Sequence, residues 1–370
     1  MTKVLFFVDR LLRGGIQSFL KTVCAYLPKD KYQASVLTLD DGNDYSELEK
    51  EFTDIGVELF KLKGIWLRHY SDYSKYRKAL DAFFANHTFD IVHINSGPKN
   101  YIVAKYAKKY GIKKVLYHSH NTDYQTNNIL KKIYGNILKK KVCKYSTDYL
   151  ACSYVAGEWM YTKKVLNSNK FQVVHNPVDI KKFVFNQKRR EELRKQYKLD
   201  DCFVIGNVGR LSKQKNQAFL LEIMAKLVLI NPLTKLVIVG IGELENELKE
   251  QVMAKHLDDY VLFLGFRNDV NDLLNMFDLI VMPSLFEGFP ISLIEAQANG
   301  LPCLMSNTIT EEAFIKDNCI AMDLSLPPEE WAKCIHEKFT NIKNSRVAPN
   351  AIKEYDPEYV ISKLQNIHNY

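Results

Sequence analysis

Four short segments carry the residues whose types and spacing suit chemistry. Two glutamates, Glu287 and Glu295, stand eight residues apart in Ser284-Leu-Phe-Glu-Gly-Phe-Pro-Ile-Ser-Leu-Ile-Glu-Ala-Gln-Ala-Asn-Gly300. Gly288 and Pro290 mark a turn around Glu287, and Glu295 falls inside the helical run that follows. A glutamate among small and apolar helix residues has either a partner or a surface position, and the pattern leaves both open. Gly209-Arg-Leu-Ser-Lys-Gln-Lys-Asn216 puts Arg210 and Lys215 in one loop. A planar fork and a point charge together suit a diphosphate, although a solvated basic loop has the same composition. Arg13-Gly14-Gly15-Ile16 opens a helix. Glycines let the backbone approach an anion, and a helix N-terminus supplies free N–H groups, yet any tight turn could use the same pair. Tyr117-His-Ser-His-Asn121 sets His118 and His120 on one face of a strand end. They could bond a substrate or be core or rim histidines; no further zinc ligands lie nearby in sequence.

These segments need elements that hold them. In the first half, apolar runs at Lys3–Asp9, Gln33–Leu39, Asp90–Asn95, Lys114–Ser119 and Asp148–Ser153 read as strands. Helical patterns at Ile16–Leu27 and Ser71–Asn86 lie between them. The second half repeats the alternation, with strands at Phe203–Val208, Lys235–Gly240, Val261–Gly265, Phe277–Pro283 and Pro302–Ser306. Its helical patterns are Asn216–Ile230, Leu244–His256, Ile291–Asn299 and Glu329–Thr340. Most strands are continuous apolar runs, the pattern of parallel sheets covered on both faces. The expected fold class is therefore α/β, with two doubly wound Rossmann-like domains facing across a cleft. Each motif above then follows a strand, where ligands bind in open α/β sheets. Expected boundaries are residues 1–172, 173–350 and a terminal segment, 351–370, whose helix Pro357–His368 packs back on the first domain. Asn341–Asn350 reads as a loop.

Composition narrows the classes. The chain has 370 residues, 46% hydrophobic and 25% charged, so it is neither disordered nor a coiled coil. It has no run of 18 apolar residues, no N-terminal secretory pattern, and seven cysteines without a C-x-x-C pair. Reduced thiols in a cytoplasmic protein are the expectation. The net charge of +8 is uneven: residues 1–175 carry 28 Lys/Arg against 16 Asp/Glu, or +12, and residues 176–370 carry 23 against 27, or −4. An anionic partner for the first half follows.

Together the four segments resemble one family, the retaining GT-B glycosyltransferases of family four, especially the capsular and exopolysaccharide enzymes. Glu287 and Glu295 match its E-x7-E motif, and the resemblance covers most of the chain, most strongly residues 203–312. It implies transfer of a sugar from a nucleotide diphosphate sugar, a UDP-sugar by expectation, to a glycan or polyprenyl-diphosphate-linked acceptor. It further implies that Arg210 and Lys215 hold the donor diphosphate and that Gly14 and Gly15 form the first-domain glycine loop. Glu287, with Gly288, Phe289 and Pro290, would contact the donor sugar and phosphate, Glu295 the ribose, and Gly265, Phe266 and Arg267 the base. His120 would stand beside the reacting centre, with His118 as the alternative. The catalytic set expected is His120, Glu287, Arg210 and Lys215. No D-x-D motif occurs, so neither metal nor cofactor is expected: the two cations and helix N-termini would stabilise the leaving diphosphate.

The basic half fits an acceptor surface. Within Asn128–Tyr145, Ile129, Leu130, Ile133, Tyr134, Ile137, Leu138 and Val142 form a stripe with lysines on other faces. Either the stripe faces the core, or the helix sits on an anionic membrane at its inner face. Two rival functions remain at this stage. A nucleotide-sugar epimerase shares the architecture and needs no acceptor, and a nucleotide-sugar-binding protein could have lost activity. Nucleic-acid binding is not expected, because no known basic–aromatic module is present.

Overall fold

Thr2–Val8 forms β1, whose residues Val4–Val8 are buried in succession, so both of its faces are covered. In the computed structural model, residues 1–11, 14–40, 42–65, 70–123, 128–315, 319–340, 346 and 350–369 are described. Six more strands join β1: β2 (Tyr32–Asp40), β3 (Glu58–Lys63), β4 (Ile91–Asn95), β5 (Lys114–Ser119), β6 (Asp148–Ala151) and β7 (Phe171–Val173). They pair in parallel in the order β3-β2-β1-β4-β5-β6-β7. The helices that matter here are α1 (Gly15–Tyr26), α2 (Tyr101–Lys109), α3 (Ile129–Tyr145) and α4 (Tyr154–Met160).

The second sheet is built the same way. β8 (Phe203–Val208), β9 (Thr234–Val239), β10 (Val261–Phe263), β11 (Leu279–Met282), β12 (Cys303–Ser306) and β13 (Cys319–Met322) run parallel in the order β10-β9-β8-β11-β12-β13. Around it lie α5 (Gln187–Gln196), α6 (Gln217–Ile230), α7 (Ile291–Ala298) and α8 (Pro328–Phe339). Leu220, Ile223, Met224 and Leu227 of α6 pack with Trp331 and Ile335 of α8 in its core.

Two compact units result: Met1–Pro177 with Tyr355–Tyr370, and Val178–Glu354. The first ends five residues beyond the expected boundary, because β7 and Val174 complete its sheet: Val174 N–H bonds Ala151 C=O at 2.8 Å. The terminal helix α9 (Pro357–Asn369) belongs to unit 1, where Val360, Ile361, Leu364 and Ile367 join the core of β1 and α1. Two edge strands differ from expectation. The periodicity predicts neither β3, which mixes charged and apolar residues without a run, nor β13, whose residues are at most half-buried. Both are sheet edges with one partner strand each, so neither needs the continuous apolar run of a central strand. Apart from Arg346 and Asn350, the expected loop Asn341–Asn350 lies outside the described residues.

Charge anchors one helix of unit 2. Arg190 and Arg194 of α5 both reach the Asp278 carboxylate, Arg194 at 3.0 Å. Arg346 donates to the carbonyl groups of Leu274 and Phe277 and to Asn299 Oδ1, and stacks on Phe185 at 4.6 Å. Burial beside the other two arginines pulls its guanidinium down to about 9.

Candidate active site

In a doubly wound sheet, strand order reverses at one point, and loops diverging from the two strands there leave a crevice at their carboxyl ends. In unit 2 the reversal lies between β8 and β11. The loop after β8 carries Arg210 and Lys215; the loop after β11 carries Glu287. One backbone and one side-chain bond join the loops: Leu285 N–H donates to Gln214 C=O at 2.8 Å, and Gln214 Nε2 donates to Phe286 C=O at 3.0 Å. Asn216 takes a left-handed conformation (φ 56°), which its short polar side chain tolerates, and donates to Pro283 C=O. This turn aims Lys215 at Glu287, Nζ to Oε1 2.7 Å, with both side chains largely buried. Removing two charges from water is costly unless the geometry is good, so the pair marks a position where sequence order did not require one.

Arg210 faces outward, its side chain 71% exposed, in a 3.0 Å pair with Glu243. Its backbone is fixed from within: Gln217 Nε2 donates to its carbonyl at 3.0 Å. The β9 end packs closely against this loop. A Cβ on Gly240 would stand 2.0 Å from Gly209 C=O, and one on Gly242 would stand 2.2 Å from Leu211 C=O. Gly240-Ile-Gly-Glu243 is thus part of the site, although the sequence reading passed over it; a G-x-G directly after a strand was the available signal.

α7 begins at the Glu287 turn, with Pro290 at its N-cap and Phe289 buried. One turn further in, Glu295 is partly buried, and desolvation pushes its carboxyl up to about 7. The choice between a surface and a partnered Glu295 therefore resolves into neither: the carboxyl is shielded, and among the described residues burial alone shifts it. At the expected base-binding turn, Gly265 (φ 63°) accepts from Gly240 N–H at 2.8 Å, and Phe266 is exposed. Arg267 is occupied: it forks onto Asp269 at 2.8 and 2.6 Å and donates to Tyr197 Oη at 3.1 Å.

In unit 1 the reversal lies between β1 and β4. Asp9, just past β1, accepts from Ser96 and Asn100 and pairs with Lys99 at 3.1 Å. Gly14 caps α1, and its carbonyl accepts from Ser18 N–H. Arg13 lies outside the described residues. The two candidate histidines separate here. His118, fully buried, is bonded on both sides: Nε2 to Val174 C=O and Nδ1 to His93 Nε2, each at 3.2 Å. A carbonyl only accepts, so His118 Nε2 carries the proton, and its bare Nδ1 receives the His93 Nε2–H. His120 is only partly buried, and its ring lies 4.1 Å from that of His118. Asn95 Nδ2 donates to His93 C=O, which turns Asn95 Oδ1 toward His120 Nε2 at 3.0 Å and makes that nitrogen a donor. Burial holds His93 and His118 well below the usual imidazole range and His120 down to about 3. Neither His93 nor Asn95 was singled out from sequence, because a buried histidine on a strand looks like any core position. Among the described residues, no group of three or more His, Cys, Asp or Glu side chains could hold a metal ion.

Known proteins resemble the chain in both halves. A family model described as "Glycosyl transferases group 1" matches residues 189–356, and one described as "Glycosyltransferase Family 4" matches residues 13–182. EpsF of Bacillus subtilis (strain 168), which bears a glycosyltransferase name, is 29% identical over 99% of this chain and 96% of its own. An Escherichia coli UDP-Gal:alpha-D-GlcNAc-diphosphoundecaprenol alpha-1,3-galactosyltransferase is 32% identical over 62% of this chain and 60% of its own. Among solved structures, Anabaena Alr3699/HepE in complex with UDP and glucose superposes with a TM-score of 0.79 at 19% identity, over 99% of each chain. The chain belongs to the group 1 glycosyltransferases and has the two parallel-sheet Rossmann-like domains of GT-B enzymes.

Proposed function

We propose that the protein transfers a sugar from a UDP-sugar to a polyprenyl-diphosphate-linked glycan acceptor in cell-surface polysaccharide biosynthesis, with retention at the anomeric carbon. The observation that carries this reading is the Lys215–Glu287 pair at the unit 2 switch point, with the shielded Glu295 eight residues on. Lys215, joined by Arg210 once it swings from Glu243, neutralises the departing diphosphate without a metal or cofactor. Glu287 has one oxygen on Lys215 and the other near Gln214 Nε2 at 3.4 Å, which suits it to accept from donors such as sugar hydroxyls and not to attack carbon. Attack from the leaving phosphate's own face then gives retention. Glu295 accepts from ribose hydroxyls, and the Gly265–Arg267 turn receives the base. In unit 1, His120, Gly14 and Gly15 are the residues proposed to take part. The donor assignment is supported by the UDP held in Alr3699/HepE, and the acceptor by the diphosphoundecaprenol in the Escherichia coli relative's name. No described helix is long and apolar enough to cross a membrane; contact with the acceptor's membrane is proposed at the inner face, through unit 1.

The test is a thermal-shift screen of nucleoside diphosphates and their sugars, followed by proton NMR of the product. UDP and one UDP-sugar are expected to raise the melting temperature most. An α-linked product from an α-linked donor is expected; a β-linked product overturns retention. Interconversion of UDP-sugars without acceptor would favour an epimerase.

A further inference from the structure

Two buried polar atoms of unit 1 are left without a bond. Among the described residues, neither His120 Nδ1 nor Asn176 Oδ1 has a hydrogen-bond partner. The Asn176 amide meets the His120 imidazole. Asn176 is 4% exposed, and both orphaned atoms are shut off from solvent. The other ring nitrogen is settled: His120 Nε2 donates to Asn95 Oδ1 at 3.0 Å. In a neutral ring with Nε2 protonated, Nδ1 is bare and can only accept. An amide oxygen beside it would be a second acceptor, with no proton between the two. That arrangement would suit a charged imidazole, but burial disfavours charge and holds His120 down to about 3. The ring is therefore neutral, and its bare nitrogen needs a donor. The amide carries one at its other end. Half a turn about the Cβ–Cγ bond exchanges Oδ1 for Nδ2 within nearly the same outline.

We infer that Asn176 is a positioning residue for His120: its Nδ2–H donates to His120 Nδ1 and, with Asn95 on Nε2, locks the ring in one neutral tautomer. An amide at each nitrogen, one donating and one accepting, leaves neither nitrogen open to exchange a proton with substrate. His120 then serves as a fixed neutral group and not as an acid or base. Its ring neighbours are uncharged too: His118 at 4.1 Å, itself held neutral by burial, and Phe19 at 5.2 Å. The lock also ties His120 to the segment up to Pro177, by which the chain leaves unit 1. Three successive residues of that segment hold the carboxyl ends of β5 and β6. Val174 C=O accepts from His118 Nε2 at 3.2 Å, His175 Nδ1 donates to Cys152 C=O at 3.0 Å, and Asn176 takes His120. The inference rests on the proposed function only for the place of His120 beside the reacting centre.

Long-range proton–nitrogen NMR correlation of the histidine-labelled protein tests this, with His120→Gln assigning the His120 signals by their loss. In the wild type, Nε2 is expected to be protonated and Nδ1 bare, with the Nδ1 signal displaced from that of an unbonded imidazole nitrogen. The pattern is expected to hold from pH 8 to pH 5. Asn176→Ala is expected to remove the displacement. Asn176→Asp, of the same shape but without a donor, is expected to draw a second proton onto the ring at neutral pH. A wild type whose Nδ1 is protonated, alone or together with Nε2, overturns the proposal. So does an Nδ1 signal that Asn176→Ala leaves in place. In sugar transfer, Asn176→Ala is expected to lower kcat about ten- to a hundredfold with KM for the UDP-sugar nearly unchanged. A wild-type kcat in that variant, with its tautomer signals altered, overturns the positioning role. The NMR reading needs no substrate, so absence of UDP-sugar transfer by the wild type would count against the proposed function and not against the lock.

Discussion

The two units share a strand-order reversal and differ in what they hold at it. Unit 2 holds ion pairs, Lys215 on Glu287 and Arg210 on Glu243. Unit 1 holds neutral imidazoles and amides around His93, His118, His120 and Asn95, with Asp9 as its carboxylate. Net charge runs the opposite way, +12 over residues 1–175 and −4 over residues 176–370. The contrast teaches that a field at a strand end is set by a few placed residues, not by the charge of the half around them. The surplus lysines of unit 1 lie on helices instead, where they describe a surface and not a pocket.

The contrast can be broken, first, at the structural charges. Asp278→Ala leaves Arg190 and Arg194 buried without their carboxylate. Unit 2 should lose about 3–5 kcal/mol in urea denaturation. A loss below about 1 kcal/mol would mean that charge in unit 2 is not structural as well as functional. Next comes the site. Lys215→Ala should lower sugar-transfer kcat/KM by about 10²–10³, the scale of a lost preorganised donor. Arg210→Ala should cost less, about tenfold, because Arg210 is solvated before substrate arrives. Equal effects of the two would erase the distinction between a fixed and a recruited cation.

In unit 1, His93→Leu removes the donor to His118 and should cost about 1–3 kcal/mol at neutral pH. The imidazoles also set a sign. For His120, folded near 3 and ordinarily 6.5, the unfolded chain binds the extra proton between those values. Its contribution is therefore fully present above pH 6.5 and is lost as pH falls through the window. Thermal denaturation between pH 7 and 4 should show it, and a flat profile would contradict neutral burial. Glu295 in unit 2 gives the smallest effect and the opposite sign. With its carboxyl folded near 7 and ordinarily 4.5, its folded form binds the extra proton, so its contribution to stability falls as pH rises through that range. If it accepts from ribose, nucleotide affinity should rise up to about tenfold as pH passes 7, and Glu295→Gln should remove the dependence.

Much of this architecture was readable from local pattern. Central strands such as β1 and β8 are continuous apolar runs that begin where expected within a residue. The edges β3 and β13 were not, because half their surface faces solvent and the pattern weakens. The chemical loops stood out because glycine, arginine, lysine and glutamate cluster after strands. Their pairings did not. Lys215 meets Glu287 across seventy-two positions, and His93 meets His118 across twenty-five, and only sheet register brings them together. The orientation of α3, with Ile129, Ile133 and Ile137 exposed and Leu138 and Val142 buried, was equally hidden, since an apolar stripe looks the same in sequence whether it faces a core or a surface.

Calorimetric titration of UDP into the wild type, Lys215→Ala and Lys215→Arg tests the central claim, that unit 2's fixed ion pair builds the donor site. The account predicts that UDP binds the wild type, that Lys215→Ala loses about ten- to a hundredfold in affinity, and that Lys215→Arg recovers part of it. UDP binding to Lys215→Ala as tight as to the wild type would contradict it.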